Sequence, residues 1–245
     1  MRKIHIRFFL LPGVLYLLQA CSSTRVIVQN EQKQFLTQPE LRSAHVGICV
    51  YDETAATFLY KYQSDKYFTP ASNTKLFSLY AGLKYLGDSL PGIRYVERDT
   101  DILILPTGDP TLLHPDYLSQ PVIDFLKQKK RNIYIDDACW QDKALGAGWS
   151  WDDYNDDYSQ ERNALPVYGN IIKWAQTQQD DGSFISFSIP EINWKVNFNT
   201  DTGTKKFVVR RSLGENIFEI TQGTEKYKGQ YVPFVTHGIG SAVEL

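Results

Sequence analysis

Ser72 and Lys75 stand three residues apart in the run Pro70-Ala71-Ser72-Asn73-Thr74-Lys75-Leu76. A serine hydroxyl attacks a carbonyl only when a neighbouring base takes its proton. A lysine amine can be that base where burial or another cation favours its neutral form. Three residues make roughly one helical turn, so both side chains share a face if the segment is helical. The chemistry this spacing permits is acyl transfer through a serine ester. The Ser-x-x-Lys tetrad is short, however, and a helix-start serine with a solvent-facing lysine carries the same letters.

The element that must hold the pair is legible. Leu76, Leu79, Tyr80, Leu83 and Leu86 recur at helical spacing, and Pro70 suits the approach to a helix. The expectation is an amphipathic helix with Ser72 in its first turn. Upstream, residues 41–44 read as the close of a short helix. Residues 46–51 and 57–62 read as strands around the Asp52-Glu53-Thr54 turn. Beyond Gly87 come short strands at 94–98, 101–106 and 132–136, a Gly108-Asp109-Pro110 turn, and a helix over 115–128. The basic cluster 127–131 suits the end of that helix. Asp180-Asp181-Gly182-Ser183 reads as a hairpin turn, after which Phe184, Ser186 and Ser188 face one side as a set. Strands follow at 194–198, 206–209, 217–220 and 231–235, and Ile239, Ala242 and Val243 begin a helix.

Other chemistries find less support. Asp152, Asp153, Asp156 and Asp157 lack calcium-loop spacing and a neighbouring metal-ligating histidine, so a solvated loop with Trp149 and Trp151 packed beneath is expected. The histidines His5, His45, His114 and His237 form no His-Glu-x-x-His pair. Gly-x-Ser-x-Gly and Gly-rich nucleotide loops are absent. At 245 residues and 42% hydrophobic content the chain can bury a core. With 26 basic against 28 acidic residues and no basic face, it is not expected to bind nucleic acid.

Several motifs in order carry a family resemblance. Phe68-Thr69-Pro70-Ala71-Ser72-Asn73-Thr74-Lys75-Leu76 is followed by Gly108-Asp109-Pro110-Thr111-Leu112. Gly148-Trp149-Ser150-Trp151-Asp152-Asp153-Tyr154 and Ala164-Leu165-Pro166-Val167-Tyr168-Gly169-Asn170 come next. Over about residues 40–245 the chain resembles the D-alanyl-D-alanine carboxypeptidases and endopeptidases of the penicillin-binding S13 (PBP4-like) family. The resemblance implies an α+β fold. Residues 39–93 would be the N-terminal part of a serine β-lactamase/transpeptidase-like domain, 94–235 a β-rich inserted region, and 236–245 the start of a return to the catalytic domain. It implies Ser72 as nucleophile and Lys75 as general base, with no cofactor. Peptidoglycan stem peptides would be the substrate and β-lactams covalent inhibitors.

Two family elements, Ser-x-Asn and Lys-Thr-Gly, do not occur; Gly203-Thr204-Lys205-Lys206 has similar letters in another order. With a helix just beginning at 238–245, the expectation is the front part of a longer enzyme, with little turnover from these 245 residues alone. A non-catalytic peptidoglycan-binding lipoprotein derived from such an enzyme is the alternative. A serine β-lactamase shares the tetrad but has no insertion like 94–235.

The N-terminus reads as an export signal. Arg2, Lys3 and Arg7 precede an apolar stretch over 8–18 that is too short to span a bilayer and is interrupted by Pro12-Gly13. Leu18-Gln19-Ala20-Cys21 resembles the bacterial lipobox, so Cys21 is the expected lipidation site, with 1–21 the signal and 22–38 a tether. An ordinary cleaved signal peptide is the other reading. The expected location is the periplasmic side of a bacterial membrane, held by the lipid anchor. Removing the three signal cations leaves 23 basic against 28 acidic residues. Cys49 and Cys139 could pair in an oxidising compartment, while a buried free thiol suits the apolar strand around Cys49 equally well.

Overall fold

The computed structural model describes residues 34–199 and 205–245, which fall into two compact units, one through Tyr85 and one from Leu86. Residues 1–33, with the signal, Cys21 and most of the tether, lie outside the described residues, as does Gly203-Thr204. No helix among the described residues is long and apolar enough to cross a membrane. The mixture of sheets and a few helices is the α+β class expected from the sequence.

In the first unit a 3-10 turn, Pro39–Leu41, stands near the predicted helix end. β1 (Ile48–Asp52) and β2 (Thr57–Tyr62) then form an antiparallel hairpin with Ile48 opposite Tyr62 and Asp52 opposite Thr57. Asp52 Oδ1 accepts the Ala55 N–H at 3.0 Å and so fixes the turn. Cys49 is free and exposed, not buried, because among the described residues β1 pairs with β2 alone. A 3-10 turn, Ser72–Thr74, runs directly into α1 (Lys75–Leu86). The helix lies where the leucine spacing puts it. Its apolar side chains are nonetheless uncovered, from 58% exposed at Leu83 to 77% at Tyr85.

Among the described residues the second unit holds three sheets of three strands. In the first, β3 (Ile93–Glu97) runs antiparallel and β5 (Asn132–Ile135) parallel to the central β4 (Asp101–Pro106). A parallel step needs a crossover, and α2 (Pro121–Lys127) lies in it. α2 is shorter than the predicted 115–128. Pro121 fits only the first turn of a helix, and the residues before it are held in turns by Gln120. The Gln120 amide donates to Thr111 O and Tyr117 O and accepts the Leu113 N–H.

The other two sheets face each other across the core. One contains β6 (Ile171–Gln178), β7 (Phe184–Ile189) and β11 (Tyr227–Pro233), all antiparallel with β6 central. The other contains β8 (Lys195–Asn199), β9 (Val208–Arg211) and β10 (Ile217–Thr221), with β10 central. Side chains alternate across a strand, so Ile172 and Trp174, Phe218 and Ile220, Val209 and Val232 all point into one cluster with Phe234. Each contributes about 1.5–3 kcal/mol relative to exposure. On β7, Phe184, Ser186 and Ser188 take the half-buried side, while Ile185, Phe187 and Ile189 are exposed.

Polar side chains fasten this core. Gln176 is fully buried, yet its amide donates to Gly223 O and Glu225 O, both at 2.8 Å, and accepts the Gly223 N–H. Gln230 on β11 bonds both backbone groups of Val209 on β9. Arg211 donates to Pro233 O, Ser212 O and Tyr154 O. Burial pulls its pKa below the ordinary arginine value, opposed by the charges of Glu161 and Tyr154. Residues 236–245 lie in this second unit. α3 (Gly240–Glu244) packs Ala242, together with Leu245 just beyond it, on the core, and Trp194 Nε1 donates to Glu244 Oε2 at 2.7 Å. Val243, predicted on the apolar stripe of that helix, is exposed.

Candidate functional site

The first unit brings the Ser-x-x-Lys pair together. Ala71 has a non-helical backbone, φ −122° and ψ −137°, and the chain turns at Ser72. Asn73 Oδ1 reaches back to the Ala71 N–H at 2.9 Å, and Thr74 Oγ1 donates to Ala71 O at 2.9 Å. The first satisfies an N–H that a helix start leaves without a partner, and the second adds to the Ala71 carbonyl, which also accepts the Thr74 N–H. Phe68, just before the turn, stacks on His45 with ring centroids 4.1 Å apart. The Phe68 ring also lies so close over Gly47 that a Cβ there would sit 2.4 Å from it. The entry to the Ser72 turn is thereby held against the start of the hairpin.

Lys75 Nζ lies 3.3 Å from Ser72 Oγ and donates to it. The same separation serves the reverse transfer, in which a neutral amine accepts the hydroxyl proton. Ser72 opens its turn, so its N–H has no carbonyl one turn earlier to bond and is open to an incoming oxygen. Both side chains face solvent, and so do Leu76, Leu79 and Leu83 on α1. The arrangement has the right atoms at the right distance in an open setting.

The remaining predicted features lie in the second unit. Gly108-Asp109-Pro110 is a turn, with Gly108 at φ 76° and Asp109 Oδ1 accepting both the N–H and the hydroxyl of Thr111. Two of the four aspartates of 152–157 serve local bonds: Ser150 donates to Asp152 and Tyr158 to Asp156. Ser150 also holds the Asp152 carboxyl below its ordinary pKa. Among the described residues no three His, Cys, Asp or Glu side chains are grouped to hold a metal ion. Trp151 is not packed beneath this loop as predicted; it is 76% exposed, because the 3-10 turn Trp151–Asn155 points it outward. Cys139 is free and exposed. Sequence reasoning passed over Arg162, whose Nη1 pairs with Asp142 Oδ2 at 2.7 Å. A pair twenty residues apart across a loop leaves no periodic signal to find.

Comparison with known proteins gives this geometry its context. The model of the family described as "D-Ala-D-Ala carboxypeptidase 3 (S13) family" matches residues 28–233. A D-alanyl-D-alanine carboxypeptidase from Actinomadura sp. (strain R39) is 29% identical over 146 residues, covering 54% of this chain and 27% of that protein. Among solved structures, penicillin binding protein 4 (dacB) from Haemophilus influenzae is similar in fold, with a TM-score of 0.56 and 15% identity. That similarity covers 80% of this chain and 48% of the other. The chain thus spans half or less of the length of each relative.

Proposed function

The chain belongs to the D-Ala-D-Ala carboxypeptidase 3 (S13) family, and from that premise we propose that it serves as a serine-type D-alanyl-D-alanine carboxypeptidase or endopeptidase on peptidoglycan stem peptides. Ser72 Oγ attacks the carbonyl carbon of the scissile D-alanine while Lys75 Nζ takes the hydroxyl proton. The C–N bond breaks, the proton passes to the departing amine, and an ester remains on Ser72. Water then attacks the ester with the amine of Lys75 taking its proton. The acid leaves, and that proton restores the serine hydroxyl. The oxyanion of each tetrahedral intermediate forms beside the Ser72 N–H. A β-lactam follows the first half only: its ring amide opens, the amine stays tethered, and the ester persists.

The observation that carries this reading is the 3.3 Å approach of Lys75 Nζ to Ser72 Oγ at the mouth of α1. A lysine works as a base where its surroundings favour the neutral amine, and an apolar, closed cleft does so. The described residues leave the pair open, so acylation by this chain is expected to be slow. An acyl-enzyme accumulates, however, so even slow chemistry is visible as a stoichiometric adduct. Prolonged incubation with a labelled penicillin should place one adduct on the peptide containing Ser72, located by mass spectrometry. No adduct, or equal labelling of Ser72→Ala, would show the assignment to be wrong.

The same proposal places the protein on the periplasmic side of a bacterial membrane through lipid on Cys21, which the lipobox-like Leu18-Gln19-Ala20-Cys21 supports. Radiolabelled palmitate should enter the chain in a bacterial host and be lost in Cys21→Ser. One observation favours a second reading, a non-catalytic peptidoglycan-binding lipoprotein: the second unit has a complete core while the Ser72–Lys75 pair is open. Retention on purified sacculi without any penicillin adduct would select it.

A further inference from the structure

Three stretches that the peptidase reading leaves unused meet on one cleft of the second unit. Gly108 and Pro110 from the first, Trp149 from the second, and Gly169 from the third line it together with Trp140 and Arg162. Its volume, about 410 Å³, lies within the range of small-molecule clefts, about 300–1,000 Å³.

The walls are held by a dense set of bonds. Gly108 N–H donates to Ala164 O at 2.8 Å, and Asn163 Nδ2 to Gly238 O at 2.8 Å. Asn170 Nδ2 donates to Glu161 O and to Asn163 Oδ1. Tyr168, Gly169 and Asn170 all have positive φ, at 53°, 67° and 55°. A left-handed run that includes a tyrosine costs free energy and persists only where its surroundings over-determine it, which is commonest at binding sites.

Trp149 is fixed on two sides. A Cβ on Gly146 would lie 2.4 Å from its Nε1, so the ring rests on bare backbone, and the Arg162 Cζ is 5.5 Å from the ring centroid. Even so, Trp149 remains 43% exposed and Trp140 37%. The charged groups of the cleft are already engaged. Arg162 is committed to Asp142 through both terminal nitrogens and to Lys143 O, and Glu161 Oε2 accepts the N–H and hydroxyl of Thr236. Partly exposed indoles beside polar groups that are already engaged suit a neutral ring with an apolar C–H face and hydroxyls on its edge. They suit a charged peptide end less well, since the Arg162 cation is already paired with Asp142 and Glu161 Oε2 is already bonded to Thr236.

We propose that this cleft is a glycan subsite, in which a sugar ring of a β-1,4-linked amino-sugar strand lies against the exposed surface of Trp149 and Trp140. The choice of glycan rests on the peptidoglycan reading, while the binding needs neither Ser72 nor Lys75. The probe is the β-1,4-linked tetrasaccharide of N-acetylglucosamine, titrated calorimetrically into the full chain. Saturable binding is expected, unchanged in Ser72→Ala and in Trp151→Ala. Trp149→Ala should weaken it at least about tenfold, and Trp149→Phe by less. Gly146→Ala should weaken it too, by displacing the Trp149 ring. Saturation-transfer NMR on the unaltered chain adds a readout free of folding effects, in which the ring C–H protons of the sugar should receive saturation. No saturable binding, no transfer to those protons, or undiminished affinity in folded Trp149→Ala and Trp140→Ala each overturns the proposal. So does Trp149-dependent binding of an N-acetylated stem pentapeptide in place of the sugar. Penicillin labelling reads the peptidase proposal separately, so either reading can fail while the other stands.

Discussion

The two units of this chain spend their apolar residues in opposite ways. In the first, Leu76, Phe77, Leu79, Tyr80 and Leu83 on α1 and Val50, Tyr51, Phe58 and Leu59 on the hairpin all lie exposed. In the second, Ile172, Trp174, Val209, Phe218, Ile220, Val232 and Phe234 close a core between two sheets. The sequence of the first unit is no less apolar; its elements lack a facing layer among the described residues. A two-stranded hairpin and one helix cannot cover each other, because stable sheets need a third strand or a packed layer. The unit that holds Lys75 Nζ 3.3 Å from Ser72 Oγ is therefore the one whose enclosure is missing among the described residues. The second unit has enclosure, strained loops and a cleft.

This contrast can be broken by substitution. The largest effect is expected in the second core, where Phe218→Ala should cost about 3–5 kcal/mol. All five tryptophans lie beyond residue 86, so the midpoint of denaturant unfolding read by tryptophan fluorescence reports this unit. A smaller loss, about 2–3 kcal/mol, is expected for Gln176→Leu by the same measurement. That change leaves the Gly223 N–H and two carbonyls buried without partners.

In the first unit the matching deletion, Leu83→Ala, should change stability by less than about 0.5 kcal/mol, because the side chain is exposed and alanine favours helix. Amide exchange across β1, β2 and α1 measures it. A loss of about 2 kcal/mol or more would mean that α1 is covered in solution and that the contrast is false.

The smallest effect concerns acid. Lys129 hydrogen-bonds the Glu97 carboxylate and holds its pKa below the ordinary value, its charge and that of Arg131 adding to the shift. A depressed carboxylate pKa stabilises the fold above the ordinary glutamate value of about 4.5, and that contribution is lost as pH falls through the folded pKa. Lys129→Ala should flatten this part of the acid limb. An unchanged limb would show that the pair does not bear on stability.

Much of the fold was legible in the sequence, and its gaps have physical causes. The hairpin, α1, β3, β4, β5 and the Asp180-Asp181-Gly182-Ser183 turn follow alternation, spacing and turn chemistry. β6 lies outside the strands that the sequence predicts, although it is the central strand of its sheet. Its inward set Ile172, Trp174, Gln176 ends on an amide that only its bonds to Gly223 and Glu225 make tolerable. The shortened α2 turns on the Gln120 amide, and no pattern announces such a side-chain bond. Ser72 and Lys75 could be paired by spacing because three residues along a helix is a local distance. The approach of Gly108, Trp149, Arg162 and Gly169 could not, because it depends on three loops folding back together.

The central claim is that chemistry and enclosure are divided, with the Ser72–Lys75 pair formed but open. Release of D-alanine from an acetylated stem pentapeptide by the purified 245-residue chain, beside Ser72→Ala, tests it most directly. The account predicts a Ser72-dependent rate at least about a thousandfold below the roughly 10 per second of a typical enzyme. Ser72-dependent release near about one per second would contradict it, since a pair left in water does not sustain such a rate.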